Sequence, residues 1–345
     1  MNTVLTYLQQ NWTRLDLSVF GSPKDLTCVF MTPRFMASSH VICFILNEKY
    51  CRPILVVKVP RIAGDNGRLD REFYNLQQLK IKNLKDLNSK PLIVAYENWR
   101  GNRLLIETAI KGHPMKPAFV RRHLKSSIGI VMDWLIDFHQ DTNQKDDETS
   151  RWFERLALRP LNNLELAFTS VHSIGDLILK VRKLIEPICS FNLPLVFEHG
   201  DFSSPNILIA KNSKIGVVDW ELAEPRGLPI VDLFFFLTFI SFAKGKAKTS
   251  NDYLNSFREA FFGSNAWARP FVTRYCEELE LATQAVKPLF LLCWLRYVSN
   301  LVFRLKNFEG SNSILSEKAI AWLQLNRYYI LFNYTIKHMN ELYLT

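Results

Sequence analysis

Three oxygen-bearing side chains, Asp201, Asn206 and Asp219, are spaced so that one short loop and one hairpin can gather them at one end of a small sheet. The apolar run Leu193 to Phe197 delivers His199-Gly200-Asp201. A second run, Ile207 to Ala210, leaves directly after Asn206, and a polar turn at Lys211 to Lys214 returns the chain through Ile215 to Val218 into Asp219. An all-oxygen set of this kind suits Mg²⁺, which is usually held by one or two protein carboxylates together with substrate phosphates. Phosphoryl transfer needs the same parts: a carboxylate to orient and deprotonate an attacking hydroxyl, and metal ligands that help neutralise charge developing on the phosphates. Each Asp taken singly is what a turn or helix cap uses to bond local backbone donors. The ordered set, with its hairpin, carries the chemical reading.

The order His199-Gly200-Asp201, Asn206, Asp219-Trp220-Glu221, then Gly227, Pro229 and Asp232-Leu233 resembles the aminoglycoside phosphotransferase and choline kinase family, relatives of the protein kinases. The resemblance implies Asp201 as the catalytic base and Asn206 and Asp219 as Mg²⁺ ligands. It gives His199 the task of bracing the catalytic loop and Asp232 that of tying the loop to the helix beneath it. It also implies an α+β, two-lobed protein-kinase-like fold, with a small antiparallel-sheet lobe over residues 1–110 and a large helical lobe over 111–345 that holds the catalytic loop, 193–220, and the acceptor pocket. The expected activity is transfer of the γ-phosphoryl of ATP, with Mg²⁺, to a hydroxyl of a sugar, aminocyclitol or amino alcohol. The alternative is a non-catalytic nucleotide-binding or scaffold protein of the same fold.

The elements that must position these groups are readable along the chain. Met1 to Ser22 has helical spacing, and Leu26 to Met31, Val41 to Leu46 and Ile54 to Val59 are short β-rich runs, the last two joined by a turn at Asn47 to Lys49. Lys58 falls inside the third run, and Leu69 to Ile81 has helical spacing with Glu72 in its first turns. A lysine buried on a strand requires a carboxylate partner, and Glu72 fits that need. In the resembled family such a lysine contacts the nucleotide phosphates and a helix glutamate holds it. The segment Thr32 to His40 would cover the phosphates but contains no glycine, which leaves Ser38, Ser39 and Arg34 to do so. Pro91 to Tyr96 and Arg103 to Ile110 are two further strand candidates. The second runs through Glu107 into Gly112, where the family has its adenine-binding linker, so the resemblance places Glu107 in the nucleotide site.

Helical periodicity dominates the remainder. Pro117 to Asp141 reads as one amphipathic helix, ending at His139, which is expected to pack or cap. Trp152 to Pro187 is helical with a turn at Leu158 to Asn163, and the last hundred residues read as helices at 253–262, 268–281, 286–303 and 313–342. The acceptor pocket is expected from this last region, with Glu277, Glu278, Glu280, Trp294, Arg296 and Tyr297 as candidate lining, although helical spacing favours core packing or a solvated helix face for them.

Composition bounds the reading. The 345 residues are 48% hydrophobic and 22% charged, a globular composition. Six cysteines are scattered without the close pairing of a zinc site or disulfide framework, and Met1 to Gln10 lacks the basic and apolar regions of a secretory signal, so a cytoplasmic location is expected. Lys and Arg number 43 against 33 Asp and Glu, a net charge of +10, but the basic residues form no concentrated run, which argues against nucleic acid as a partner. The apolar stretch Leu228 to Ala243 falls short of the ~20 residues that span a bilayer and contains Asp232. It reads as a buried helix, and no membrane span is expected.

Overall fold

Short runs rich in Val, Ile, Phe and Leu form strands wherever a turn follows within a few residues, and the computed structural model, which describes residues 3–32, 40–50, 52–81, 89–144, 149–169, 174–210, 214–310 and 314–344, orders five of them into one antiparallel sheet. Chain order begins with α1 (Thr3–Asn11), β1 (Leu26–Met31), β2 (His40–Asn47), β3 (Pro53–Pro60), α2 (Gly67–Ile81), β4 (Ile93–Trp99), β5 (Asn102–Thr108) and β6 (His113–Pro114). The sheet order is β1-β2-β3-β5-β4. Two compact units divide the chain: residues 1–113 with 208–223, and residues 114–207 with 224–345.

In the first unit the period-2 alternation of the strands sorts the side chains onto two faces. Val57, Leu104 and Ile106 join Cys43 and Ile45 in a core closed by Leu8 and Trp12 of the N-terminal segment. Lys58 and Glu107 point the opposite way, and both are buried. The helix α2 turns a stripe of Leu69, Glu72, Asn75, Leu76 and Leu79 inward, so two polar side chains are interleaved with its apolar face. The hairpin of β8 (Ile207–Ile209) and β9 (Ile215–Val217) was expected with the second domain, yet residues 208–223 cluster with the first unit. Two glycines permit the approach. A Cβ on Gly216 would collide with the Ile110 methyl, and one on Gly112, at φ 153°, would come 3.0 Å from the Ile209 backbone.

The second unit is helical. Its elements are α3 (Pro117–Arg122), α4 (Leu124–Thr142), α5 (Thr149–Phe153), α6 (Arg159–Ala167), α7 (Ile174–Ile185), β7 (Val196–Glu198), β10 (Glu224–Gly227), α8 (Val231–Lys244), α9 (Ser250–Phe261), α10 (Arg269–Glu278), α11 (Thr283–Glu309), α12 (Glu317–Leu325) and α13 (Arg327–Lys337). Strand β7 pairs with β10. The turn expected at Leu158 to Asn163 is absent. Residues 154–158 form a π-helical turn leading straight into α6, and Pro160 sits in the first turn of α6, where a missing N–H costs no hydrogen bond. The helix expected over 313–342 is instead two, because the Asn326 side chain accepts from Tyr328 N and caps α13.

Helix α8 is buried along nearly its whole length, as a helix apolar on every side must be; the expectation of a buried helix there holds. Helix α11 is long and apolar enough to cross a membrane by length and composition, with 72% of its most apolar window buried inside the protein. The core of this unit is aromatic. Phe234 is fully buried, with ring centroids 4.9 Å from Phe290 and 6.5 Å from Phe261. Phe234→Ala is expected to lower stability by about 3–5 kcal/mol through lost transfer energy and the cavity left behind; the chemical denaturation midpoint of the purified variant checks it.

Candidate active site

The first unit assembles a charge cluster around one ammonium. Lys58 Nζ lies 2.5 Å from Glu72 Oε1, 3.5 Å from Asp219 Oδ1 and 3.9 Å from Glu107 Oε2. Lys58, Glu72 and Glu107 are all nearly inaccessible. Burial alone would push the Lys58 amine down, but the carboxylates of Glu107, Glu72 and Asp219 outweigh it and hold the amine above its ordinary value. The reverse holds for the acids. Burial raises Glu72 and Glu107 against the pull of Lys58, because one cation cannot offset three carboxylates in a poorly solvated space. Glu72 Oε2 and Glu107 Oε1 are buried with no hydrogen-bond partner among the described residues.

Backbone contacts fix this cluster. Trp220 N donates to Glu72 Oε1 at 3.1 Å, and the Asn75 amide donates to Trp220 O and Ala223 O at 2.8 and 3.1 Å. The same helix α2 therefore holds both Lys58 and the segment carrying Asp219. Asp219 itself adopts φ 71° and ψ 63°, a left-handed conformation uncommon outside glycine. Two residues that sequence reasoning did not assign join here. Arg68 pairs with Glu221, and His40 Nδ1 lies 3.4 Å from Glu221 Oε2. Candidate ligand atoms of His40, Asp219 and Glu221 lie within 4.8 Å of one another. Burial outweighs the opposing pull of Glu221 and lowers the His40 imidazole. Glu221 was in view as part of Asp219-Trp220-Glu221; His40 carried no signal, since its partners are far away in sequence.

The second unit holds the loop that carries Asp201. Asp232, at the start of α8, accepts from His199 N at 2.7 Å and from Gly200 N at 3.0 Å. Asp201 N donates to His199 Nδ1 at 3.2 Å, and the Asn206 amide donates to Asp201 O at 3.0 Å and to Asp201 Oδ2 at 3.1 Å. With its NH₂ so engaged, Asn206 has its carbonyl oxygen left for another ligand. His139 also belongs here. Ile230 N donates to the Tyr275 hydroxyl at 3.0 Å, and that hydroxyl lies 2.5 Å from His139 Nδ1. This leaves the ring proton on Nε2, 3.5 Å from Asp232 Oδ2. Ile230 needs the support: it is a β-branched residue at φ 65°, a strained conformation. Burial raises the Asp232 carboxyl, but His139, His199 and the loop N–H groups more than reverse this and hold it below its ordinary value. Glu198, just before the loop, is tied to Arg296 at 2.6 Å and to Leu228 N at 3.0 Å.

The structure thus brings Lys58, Glu72, Glu107 and Asp219 together in the first unit, and His199, Asp201, Asn206 and Asp232 together in the second. Ser38 and Ser39, with Arg34, lie outside the described residues. Of the acceptor candidates, Glu277, Glu278 and Glu280 are exposed, Trp294 is core and Arg296 is bound to Glu198. Tyr297 packs against Phe235 and Tyr328.

Residues 47–275 match the phosphotransferase enzyme family. The chain belongs to this family and is a small-molecule kinase in class. Solved structures share the fold. A Plasmodium vivax ethanolamine kinase aligns at 13% identity and TM-score 0.58, covering 97% of this chain and 89% of that one. A Streptococcus pneumoniae choline kinase aligns at 12% and 0.54, covering 96% and 98%. The GDP complex of an aminoglycoside 2'-phosphotransferase aligns at 12% and 0.53, covering 95% and 98%. A search of curated protein sequences finds no match.

Replacing Asp232 by Asn leaves one of the two loop N–H groups without its acceptor, and a loss of about 1.5–3 kcal/mol in stability at neutral pH is expected. The folded-state pKa of Asp232 is lowered, so its contribution is complete above the unfolded value of about 3.9 and is lost as pH falls through the folded value. Denaturation midpoints of wild type and Asp232→Asn measured from pH 7 down to strong acid should therefore converge.

Proposed function

We propose that this protein transfers the γ-phosphoryl group of ATP to a hydroxyl of a small molecule, with Asp201 as base and Mg²⁺ held by Asn206 and Asp219. The observation that carries the reading is the hydrogen-bonded loop in which Asn206 donates to the Asp201 carboxylate while Asp232 holds the two N–H groups before it. That arrangement holds the Asp201 side chain in place, as a base aimed at a hydroxyl requires.

The donor set fits the metal. An amide oxygen and a carboxylate are hard ligands of the type Mg²⁺ prefers, and together with phosphate oxygens they are what a nucleotide-bound Mg²⁺ usually has. When bound, the metal would draw off charge developing on the phosphates. Lys58 would contact the phosphates, and Glu72 would keep its ammonium in place. In the transfer itself, the acceptor oxygen bonds to the γ-phosphorus as the β,γ-bridging P–O bond breaks; Asp201 takes the hydroxyl proton and ADP leaves. Most of the rate enhancement comes from positioning and electrostatics.

A non-catalytic nucleotide-binding protein of this fold is favoured by one observation alone, the absence of glycine from residues 32–40. Transfer separates the two readings. Asp201→Asn should lower phosphoryl transfer by about 10²–10⁴-fold, the usual contribution of a general base, while the affinity for Mg²⁺-ATP stays within about twofold of wild type. Transfer of labelled phosphate to an acceptor panel, alongside nucleotide binding by calorimetry, checks it. Turnover unchanged in the variant would remove Asp201 from the mechanism; nucleotide binding without transfer in the wild type would favour the non-catalytic reading.

A further inference from the structure

Close to the Asp201 loop, the second unit gathers aromatic side chains, and a cation of the chain itself stands against several of their rings. Helix α8 begins at the loop through Asp232. One turn on, Phe235 has its ring 4.9 Å from Tyr297 of α11, and Tyr297 lies 4.3 Å from Tyr328 of α13. The neighbouring Phe236 ring is 6.0 Å from Phe202, the residue after Asp201. The charge of Asp201 acts on both phenols, adding to the burial that raises them.

The cation is Arg327. Its guanidinium carbon lies 4.8 Å from the centroid of Tyr328, 4.9 Å from Tyr253 and 5.9 Å from Phe242. Ring faces that would otherwise attract a quaternary ammonium are thus taken by a permanent positive charge. Arg327 is only partly buried. Its one side-chain hydrogen bond among the described residues, 3.1 Å from Nη2, goes to the Tyr328 hydroxyl, and it forms no ion pair there with a carboxylate. Four of the five guanidinium N–H donors remain, in the planar fork that matches a carboxylate or phosphate. A second guanidinium, Arg304, lies two helical turns after Tyr297 on the same face of α11, and its charge also acts on that phenol.

We propose that the acceptor used with Asp201 is an anionic hydroxy compound whose carboxylate or phosphate is held by Arg327 at the Tyr297–Tyr328 pair, and that quaternary or multiply charged amines are excluded. The proposal rests on the transfer reading above and names its substrate class. A cationic acceptor would face the Arg327 guanidinium at rings it already covers, an arrangement that selects by repulsion as well as by attraction.

Binding is measured by calorimetry with gluconate, glycerol 3-phosphate, glucose 6-phosphate, glucose and choline, using the intact protein with Mg²⁺ and a non-hydrolysable ATP analogue. At least one anion is expected to bind tenfold or more tightly than glucose, with no choline binding. Whether carboxylate or phosphate probes bind identifies the group. Arg327→Gln should weaken the anion by about ten- to a hundredfold, the loss of charge-assisted hydrogen bonds, and leave glucose unchanged. Arg327→Lys keeps the charge over the rings and should recover part of the affinity, with thermal melting as the control for folding. Choline bound as tightly as the anions, no anion bound, or anion affinity unchanged in Arg327→Gln would each overturn the proposal. Transfer assays on the same panel keep the two readings apart. Transfer to choline or glucose alone leaves phosphoryl transfer standing and overturns the anionic acceptor, whereas anion binding through Arg327 without transfer from ATP overturns phosphoryl transfer.

Discussion

One ammonium buried among three carboxylates is the constraint around which the first unit is built. Lys58 within 4 Å of Glu72, Glu107 and Asp219 cannot be replaced by an apolar side chain without leaving buried acids facing one another, and removal of one partner of a buried pair typically costs 3–5 kcal/mol. The sheet accepts this arrangement because alternation along β3 and β5 puts Lys58 and Glu107 on the face away from the Leu104 and Ile106 core. Helix α2 accepts it by placing Glu72 and Asn75 among its inward leucines. Negative charge left over after Lys58 is counted is not useful to stability. It makes sense at a place built to hold further positive charge, as the reading with nucleotide-bound Mg²⁺ requires.

The second unit solves a different problem, that of holding a loop of irregular backbone still. Backbone N–H groups that no strand or helix can satisfy need acceptors, and Asp232 serves two of them from the first turn of a helix that is otherwise apolar. The acid is in turn faced by His139, and His139 by Tyr275, whose hydroxyl also receives the strained Ile230. Such a chain holds the loop because its members polarise and orient one another, although His139 Nε2 stands 3.5 Å from Asp232 with no hydrogen-bond partner among the described residues.

Parts of this were legible in the sequence for reasons that can be named. Strand periodicity showed that Lys58 lay within a sheet, and burial physics then demanded a carboxylate within reach, which made Glu72 conspicuous. The loop and hairpin from Leu193 to Trp220 could be read because turn residues punctuate apolar runs. What could not be read depends on contacts between distant segments. Nothing near His40 points to Glu221, and nothing near His139 points to Tyr275. Likewise, the grouping of residues 208–223 with the first unit depends on how closely Gly216 lets the chain approach Ile110. Local rules also misled where two of them competed. Pro160 reads as a helix breaker, but a proline in the first helical turn breaks nothing. Apolar spacing ran unbroken through Asn326, where a side-chain cap began a new helix.

The aromatic residues show most clearly why composition alone stops short of a substrate. A 13% aromatic content is as compatible with a choline cage as with an ordinary core, and many of these rings, Phe234, Phe257, Phe261 and Phe290 among them, are core. What separates the two cases is what stands against the ring faces. An empty cage lined by carboxylates attracts a cation; rings faced by Arg327 repel one, and the guanidinium has donors to spare. A single side chain, placed by the short break between α12 and α13, therefore carries more information about the acceptor than the whole count of aromatic residues or the net charge of the chain.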